Sequence, residues 1–270
     1  MESFIYHHLV VVTTMSEENL YQKLQDRGTK KEHDSLMARL YVRKKPEQVR
    51  GISNLLKVAS DLEDFGINKY CVIGGHGTLV QRIDSNLFAG TEDSIVKWRH
   101  SPDIDIVTND QNILNLIQTY SKTPLLKESK HLSDKNMRKY RADLSGDGKV
   151  TLDVYLVDKT PASLSGFPIN DSFFENIETK DFYGIPIKVP NPIDLLRNKL
   201  SITSKTGTPR EKDMVDILNL VSVLKKRKGT ETMEEIEKQL NEEQVKTLKE
   251  IPRKFTNQYT KEIEVNGLKV

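Results

Sequence analysis

The stretch RHSPDIDIVT, residues 99–108, constrains the fold more than any other part of the sequence. Asp103 and Asp105 alternate with Ile104 and Ile106, and successive side chains of a β-strand point to opposite faces of a sheet. The alternation therefore predicts a strand whose isoleucines pack on one side while its two carboxylates lie next to each other on the other side.

Two adjacent carboxylates repel each other unless a cation, a base or a shared proton compensates. Carboxylate oxygens are hard ligands that suit Mg²⁺ or Mn²⁺ bridging phosphate oxygens. The Asp103 and Asp105 pair therefore favours a metal site.

A second strand is predicted upstream, in the run KYCVIGG, which ends in Gly74 and Gly75. The next stretch, TLVQRIDSNLF, has a helical pattern, so we expect a strand, a glycine turn and a helix in succession. Glycines at such a turn let backbone N–H groups approach a phosphate closely, aided by the helix N-terminus.

A β-hairpin is predicted in MRKYRADLSGDGKVTLDVYLVD, where two extended runs flank a Ser-Gly-Asp-Gly turn. The apolar residues of its second strand fall on one face, and Asp153 falls on the other. A third carboxylate is what a two-metal phosphoryl-transfer site needs. We therefore expect Asp103, Asp105 and Asp153 to converge.

Helices are predicted on both sides of this strand-rich region. We expect a helical N-terminal extension over 1–45, an α+β core over 46–190 and a C-terminal helical domain over 191–270. Asn191-Pro192 is typical of an N-cap and first helical residue, and Thr208-Pro209-Arg210-Glu211 of a capping box.

Composition limits the partners and the compartment. The chain has 41 basic and 39 acidic residues and a formal charge of +2, so any nucleic acid would have to bind a local patch.

A single cysteine, Cys71, excludes an internal disulfide framework and a cysteine-rich zinc site and fits a reducing compartment. The first residues, MESFIYHHLVVVTTM, lack the basic start of a signal peptide and a run long enough for a membrane span. We expect a cytoplasmic protein with no membrane partner.

Four motifs occur in a fixed order along the chain: VIGG, RHSPDID, LLRNKL and PREKDMVDI. In this order the sequence resembles the nucleotidyltransferase superfamily of polymerase-β-like fold, whose pattern is a glycine turn, a strand with two acids and a strand with one. It is most similar to the AbiEii-like branch, toxins of type IV toxin–antitoxin systems and relatives such as the MenT toxins. The likeness spans about Tyr70 to Leu220 and implies a mixed sheet flanked by helices, with a C-terminal helical lobe.

The resemblance implies an enzyme that transfers a nucleoside monophosphate from a triphosphate such as ATP to an acceptor, using Mg²⁺ or Mn²⁺. The expected acceptor is RNA, at the 3′ end of a tRNA, with a protein side chain as the alternative, and an antitoxin protein is an expected partner. The metal ligands implied are Asp103, Asp105 and Asp153. The nucleotide-binding residues implied are Gly74, Gly75, Arg99, Ser101, Lys199 and Arg210.

Individual roles follow from the same resemblance. Ser101 is expected to hydrogen-bond a phosphate oxygen, and Lys199 to neutralise charge as pyrophosphate leaves. Asp213 completes the catalytic residues, near the base or sugar or as a supporting acid, and Arg210 is expected to pair with it three residues away on one helix. The chemistry implied is in-line attack on the α-phosphorus.

The sequence departs from the family pattern at two places. The segment between Gly75 and Asp103 is longer than usual, so Glu92–Trp98 is expected to form an additional loop. His76-Gly77 stands where the family more usually has Thr-Ala.

Structural interpretations stand beside the functional ones. A lone acidic strand is often a solvated edge, and Lys199 could be an exposed lysine of an amphipathic helix. Arg99 could pair with an acid instead of a phosphate, His76 and His100 could cap turns, and Trp98 is expected in a core. The basic run 225–228 could contact RNA, but basic residues at the end of a helix also complement the helix dipole, and the second interpretation is favoured.

Two rival functions remain open. A nucleotide-binding regulator of the same fold would bind triphosphate without turnover, although its relatives tend to lose the acids that Asp103, Asp105 and Asp153 retain here. A purely structural helical adaptor would leave the aligned carboxylates unexplained.

Overall fold

The structure is a computed structural model that describes residues 15–42, 46–84, 101–120, 135–146, 148–164, 167–206, 210–227 and 233–251. The Glu92–Trp98 loop, Arg99, His100 and the predicted cap residues Thr208 and Pro209 lie outside the described residues.

The described residues form helices and eight short strands, with helices grouped at both ends and strands grouped in the middle. The helices are α1 Met15–Asp26, α2 Lys30–Val42, α3 Pro46–Asp64, α4 Gly74–Asp84, α5 Ile113–Tyr120, α6 Asp171–Glu175, α7 Pro192–Thr206, α8 Glu211–Arg227 and α9 Met233–Glu237, followed by helical residues 242–251. The strands are β1 Tyr70–Ile73, β2 Asp103–Thr108, β3 Met137–Asp143, β4 Thr151–Val157, β5 Ala162–Leu164, β6 Phe167–Ile169, β7 Ile177–Phe182 and β8 Ile185–Pro190.

The central sheet is mixed and has four strands in the order β1-β2-β4-β3. β2 is antiparallel to β1 and parallel to β4, and β3 closes the sheet as an antiparallel edge strand beside β4. β5 with β6 and β7 with β8 form two separate hairpins. An α+β chain with a mixed sheet and helices is thereby confirmed, and so is the predicted hairpin of β3 and β4.

Each face of the central sheet has its own hydrophobic core. Tyr70, Ile104 and Val154 belong to the first core, which includes side chains of α1, α2, α3 and the β7–β8 hairpin. Cys71 and Val107 belong to the second core, with side chains of α7, α8, α9 and residues 242–251. The acids of β2 and β4 therefore share the face that the C-terminal helices cover.

The start of α4 differs from the prediction. A glycine turn was expected between β1 and a helix beginning near Thr78, but α4 begins at Gly74 directly after β1. Gly74 has a φ of 65° at this junction of strand and helix, a left-handed conformation that glycine adopts readily.

Other local predictions are confirmed. The Asn191 side-chain oxygen accepts the Asp194 backbone N–H at 2.9 Å, as an N-cap does. The described residues of the region 16–45 form the two helices α1 and α2 with a short turn between them, and Leu20 and Leu24 are buried. None of the described helices is both long enough and apolar enough to cross a membrane.

Gly77 sets how closely α4 packs on β1. A Cβ built at Gly77 would lie 2.6 Å from the Val72 carbonyl oxygen, which is backbone and has little freedom to move. Gly77→Ala is therefore expected to lower the free energy of unfolding by about 1–3 kcal/mol through overpacking. The same exchange at an open helical position raises it by roughly 0.5–1 kcal/mol. Urea unfolding measures the difference, and a stabilised Gly77→Ala protein would contradict the packing.

Gly66→Ala is the control for this substitution. A Cβ at Gly66 meets nothing within 4 Å, but the residue has a φ of 66°. Its destabilisation should come from backbone strain alone and reach about 1–2 kcal/mol.

Candidate active site

The three predicted acids meet at one position of the sheet. Asp105 on β2 lies opposite Asp153 on the neighbouring parallel strand β4, and Asp103 lies opposite Thr151. Asp103 and Asp105 keep part of their residue surface exposed, although the Asp105 carboxyl group is largely surrounded by protein, and Asp153 is buried. Two carboxylates therefore occupy adjacent positions of neighbouring strands, with a third two residues away.

Three residues hold Asp103 in place through its side chain and its backbone carbonyl. The Thr151 hydroxyl donates to the Asp103 carboxylate at 2.7 Å. The Ser101 hydroxyl donates to the Asp103 carbonyl oxygen at 3.3 Å, and His76 Nδ1 lies 3.1 Å from the same oxygen. A carbonyl only accepts, so His76 Nδ1 is the donor. Ser101 and His76 thus position the backbone that carries the acid.

Gly74 lies against Asp105. A Cβ at Gly74 would come within 2.4 Å of Asp105 Oδ2, and the positive φ of Gly74 independently disfavours any other residue. Gly75 follows as a buried residue of α4. The first turn of α4 therefore approaches the carboxylates more closely than a side chain at Gly74 would allow.

Asp153 is held by two cations of the edge strand β3. Arg141 donates from Nε to Asp153 Oδ1 at 2.6 Å and from Nη2 to Oδ2 at 2.7 Å, and Lys139 Nζ lies 2.6 Å from Oδ2. Burial alone would raise the pKa of Asp153, but the hydrogen bonds from Arg141 and Lys139 outweigh it and hold that pKa below its usual value. Asp153 is therefore ionised.

Asp105 has the opposite electrostatic environment. Burial, followed by repulsion from Asp153, raises the pKa of Asp105 from 3.8 to about 7, and the nearby Lys199 offsets part of this shift. Near neutral pH, Asp105 is thus a carboxylate that a cation would stabilise.

Lys199 belongs to a buried cluster between α7 and α8. Its Nζ lies 3.2 Å from Asp213 and 2.8 Å from Asp216, and all three residues are buried. Arg210 Nε donates to the second oxygen of Asp213 at 2.5 Å, which confirms the predicted pair. Lys199 is therefore not an exposed lysine of an amphipathic helix.

The structure brings together most of the predicted residues. Asp103, Asp105, Asp153, Gly74 and Lys199 surround one end of the β2–β4 strand pair. Arg210 reaches the cluster through Asp213, while Arg99 lies outside the described residues.

Four participants were not predicted from the sequence. They are Thr151, Lys139, Arg141 and Asp216. Lys139 and Arg141 alternate with the buried Tyr140 and Ala142, so strand alternation in MRKYRAD carried a usable signal.

The donor chemistry suits a hard divalent cation held jointly with phosphate. Within the described ranges, no group of three or more His, Cys, Asp or Glu side chains is arranged to hold a metal ion. Arg141 and Lys139 engage both oxygens of Asp153. Asp103 and Asp105 remain, and Mg²⁺ at nucleotide sites is typically held by one or two carboxylates plus substrate phosphates.

Comparisons of the chain with models of known protein families, with curated proteins and with solved structures found no match.

Asp105→Asn is expected to stabilise the protein at alkaline pH in the presence of EDTA. Folded Asp105 has a pKa of about 7 against 3.8 for the ordinary carboxyl, so its ionisation increasingly opposes folding as pH rises from 4 to 7. The variant should match the parent near pH 4 and exceed its free energy of unfolding by roughly 2–4 kcal/mol at pH 8. Denaturant unfolding at both pH values measures this, and an equal stability at pH 8 would contradict the assignment.

Asp158→Asn provides a control of opposite sign. A hydrogen bond from Arg138 lowers the pKa of Asp158, so its ionised form favours folding. This variant should lose stability at pH 8 or leave it unchanged, and it should not gain.

Proposed function

We propose that this protein is a metal-dependent nucleotidyltransferase of polymerase-β-like fold, transferring a nucleoside monophosphate from a triphosphate to an acceptor. One observation carries the proposal: Asp105 and Asp153 are in register on parallel strands, with Asp103 on the same face. Adjacent carboxylates on a sheet are unfavourable for stability alone, and their position is explained by a cation that binds there with its substrate.

The surroundings of these acids support a phosphate ligand. The N-terminus of α4 packs against the Asp105 carboxylate at Gly74, and backbone N–H groups and the helix dipole at such a terminus favour an anion. Lys199 is near enough to lower the pKa of Asp105 and is held in place by Asp213 and Asp216. A triphosphate would thus meet oriented donors on the side of the C-terminal helices.

Asp103 and Asp105 would hold Mg²⁺ or Mn²⁺ together with phosphate oxygens. When bound, the ion supplies Lewis-acid polarisation of the phosphate and stabilises charge in the transition state. Thr151 and Ser101 keep Asp103 oriented for this purpose. Asp153 is the third acid of the proposed site, and its carboxylate is held by Arg141 and Lys139.

The proposed reaction is an in-line displacement. The oxygen of an acceptor hydroxyl forms a bond to the α-phosphorus while the bond to the pyrophosphate oxygen breaks, and the hydroxyl proton passes to water. Lys199 stabilises the charge that develops on the departing pyrophosphate. The products are the nucleotidylated acceptor, pyrophosphate and a proton.

Asp103→Asn tests the proposal. The amide oxygen can still accept from Thr151, so the fold should survive while one negative ligand is lost. Incorporation of α-labelled nucleotide into total cell extract, with Mg²⁺ and each triphosphate in turn, should fall by roughly 100-fold or more, since several kcal/mol of charge stabilisation is removed. Pyrophosphate release should fall in parallel.

Asp158→Asn is the matched control, because Asp158 follows β4 at the far end of the strand and pairs with Arg138. It should keep full activity. An Asp103→Asn protein as active as the parent would end the proposal, and triphosphate binding without any pyrophosphate release would favour a regulator without turnover.

A further inference from the structure

His33 lies where the N-terminal helices meet the β7–β8 hairpin. The residue belongs to α2 and is 0% exposed. Its ring makes T-shaped contacts with Tyr21 of α1, at 5.9 Å between ring centroids, and with Tyr183 of the hairpin, at 6.4 Å. One imidazole therefore contacts side chains of two other elements, far apart in sequence.

The turn between α1 and α2 holds the hairpin tip, Tyr183 and Gly184, beside this histidine. Thr29 Oγ1 donates to the Tyr183 carbonyl oxygen at 2.8 Å, and Arg27 Nη1 donates to that of Gly184. A Cβ at Gly184 would come within 2.8 Å of Thr29 Oγ1, so the turn and the tip are in close contact. A change of charge on His33 therefore acts where the α1–α2 pair docks on the hairpin.

The surroundings of His33 suit a neutral ring better than a cation. Nε2 is buried with no hydrogen-bond partner among the described residues, whereas a protonated imidazole donates from both nitrogens. Asp34 Oδ1 lies 3.4 Å from Nδ1, but the Asp34 side chain is 45% exposed, so water screens its charge. Burial lowers the pKa of His33, and Asp34 offsets only part of this effect. A buried, unpaired cation is unfavourable.

Among the described residues, Asp34 alone raises the pKa of His33 through its charge. The phenols of Tyr21 and Tyr183 are neutral below pH 8. Charged groups on the surrounding elements have partners of their own: Lys23 with Asp64, Arg27 with Glu63, Lys30 over the Tyr21 ring, and Asp181 with the Gly184 backbone N–H.

We infer that docking of the α1–α2 pair on the β7–β8 hairpin is pH-sensitive, because protonation of His33 favours an open state in which the pair has separated from the hairpin tip. The inference is independent of the proposed function. A histidine exposed in the open state takes up a proton around its ordinary pKa of 6.5, while docked His33 does so only at lower pH. Docking is therefore undisturbed above pH 6.5 and weakens as pH falls below this value.

Hydrogen exchange of the full chain, followed by mass spectrometry at pH 7.5 and pH 5.5 in EDTA, measures this opening. Rates are corrected for the intrinsic effect of pH. Protection of peptides from 15–42 should fall by up to about tenfold at pH 5.5, where a histidine of pKa 6.5 is about ten-to-one protonated. Peptides from 192–227 are the internal control, and their protection should not fall, because acid relieves the repulsion at Asp105.

His33→Phe tests the assignment to this residue. Phenylalanine keeps an aromatic ring between Tyr21 and Tyr183 but cannot take up a proton, so protection over 15–42 should be the same at both pH values. His33→Gln does not titrate either and serves if phenylalanine packs poorly. The readout is the ratio between the two pH values, so a lower overall level of protection in either variant does not affect the test.

A parent with equal protection over 15–42 at both pH values would overturn the inference. Equal losses over 15–42 and 192–227 would overturn it too, since they would indicate unfolding of the whole chain in acid. The same holds if the His33→Phe and His33→Gln proteins lose as much protection at pH 5.5 as the parent.

Discussion

Asp105 and Asp153 repel each other across neighbouring parallel strands, and the charges around them are arranged in response. Asp153 stays ionised because Arg141 and Lys139 bind both of its oxygens. Asp105 has no such pair, and burial together with Asp153 raises its pKa to about 7. One acid is thus compensated by the protein, while the other is stabilised only when a cation or proton arrives. Such a division is unfavourable for folding and is typical of a site that binds a charged ligand.

The backbone of α4 packs closely around this acid pair. Gly74 combines a left-handed conformation with a contact that excludes a Cβ next to Asp105. Gly77 then lets α4 pack closely on β1. On the other side, Lys199 is anchored between two aspartates of α8.

Alternation was sufficient to predict which acids share a face, because a strand leaves only two choices for each side chain. Asp103, Asp105 and Asp153 were placed together on that basis, and the register of β2 and β4 agrees. The partners Arg141 and Thr151 were missed because they depend on how strands are aligned, which the turn and the whole sheet determine. The predicted succession of strand, glycine and helix agrees with the structure, but the helix begins at Gly74 and not near Thr78.

The most direct test of the central claim is a crystal structure of the protein with Mn²⁺ and a non-hydrolysable nucleoside triphosphate, with the ion located by anomalous scattering. The account predicts an ion bound by Asp103 and Asp105, with the triphosphate running from the start of α4 towards Lys199. A nucleotide bound elsewhere, or an ordered triphosphate with no ion at these two carboxylates, would contradict it.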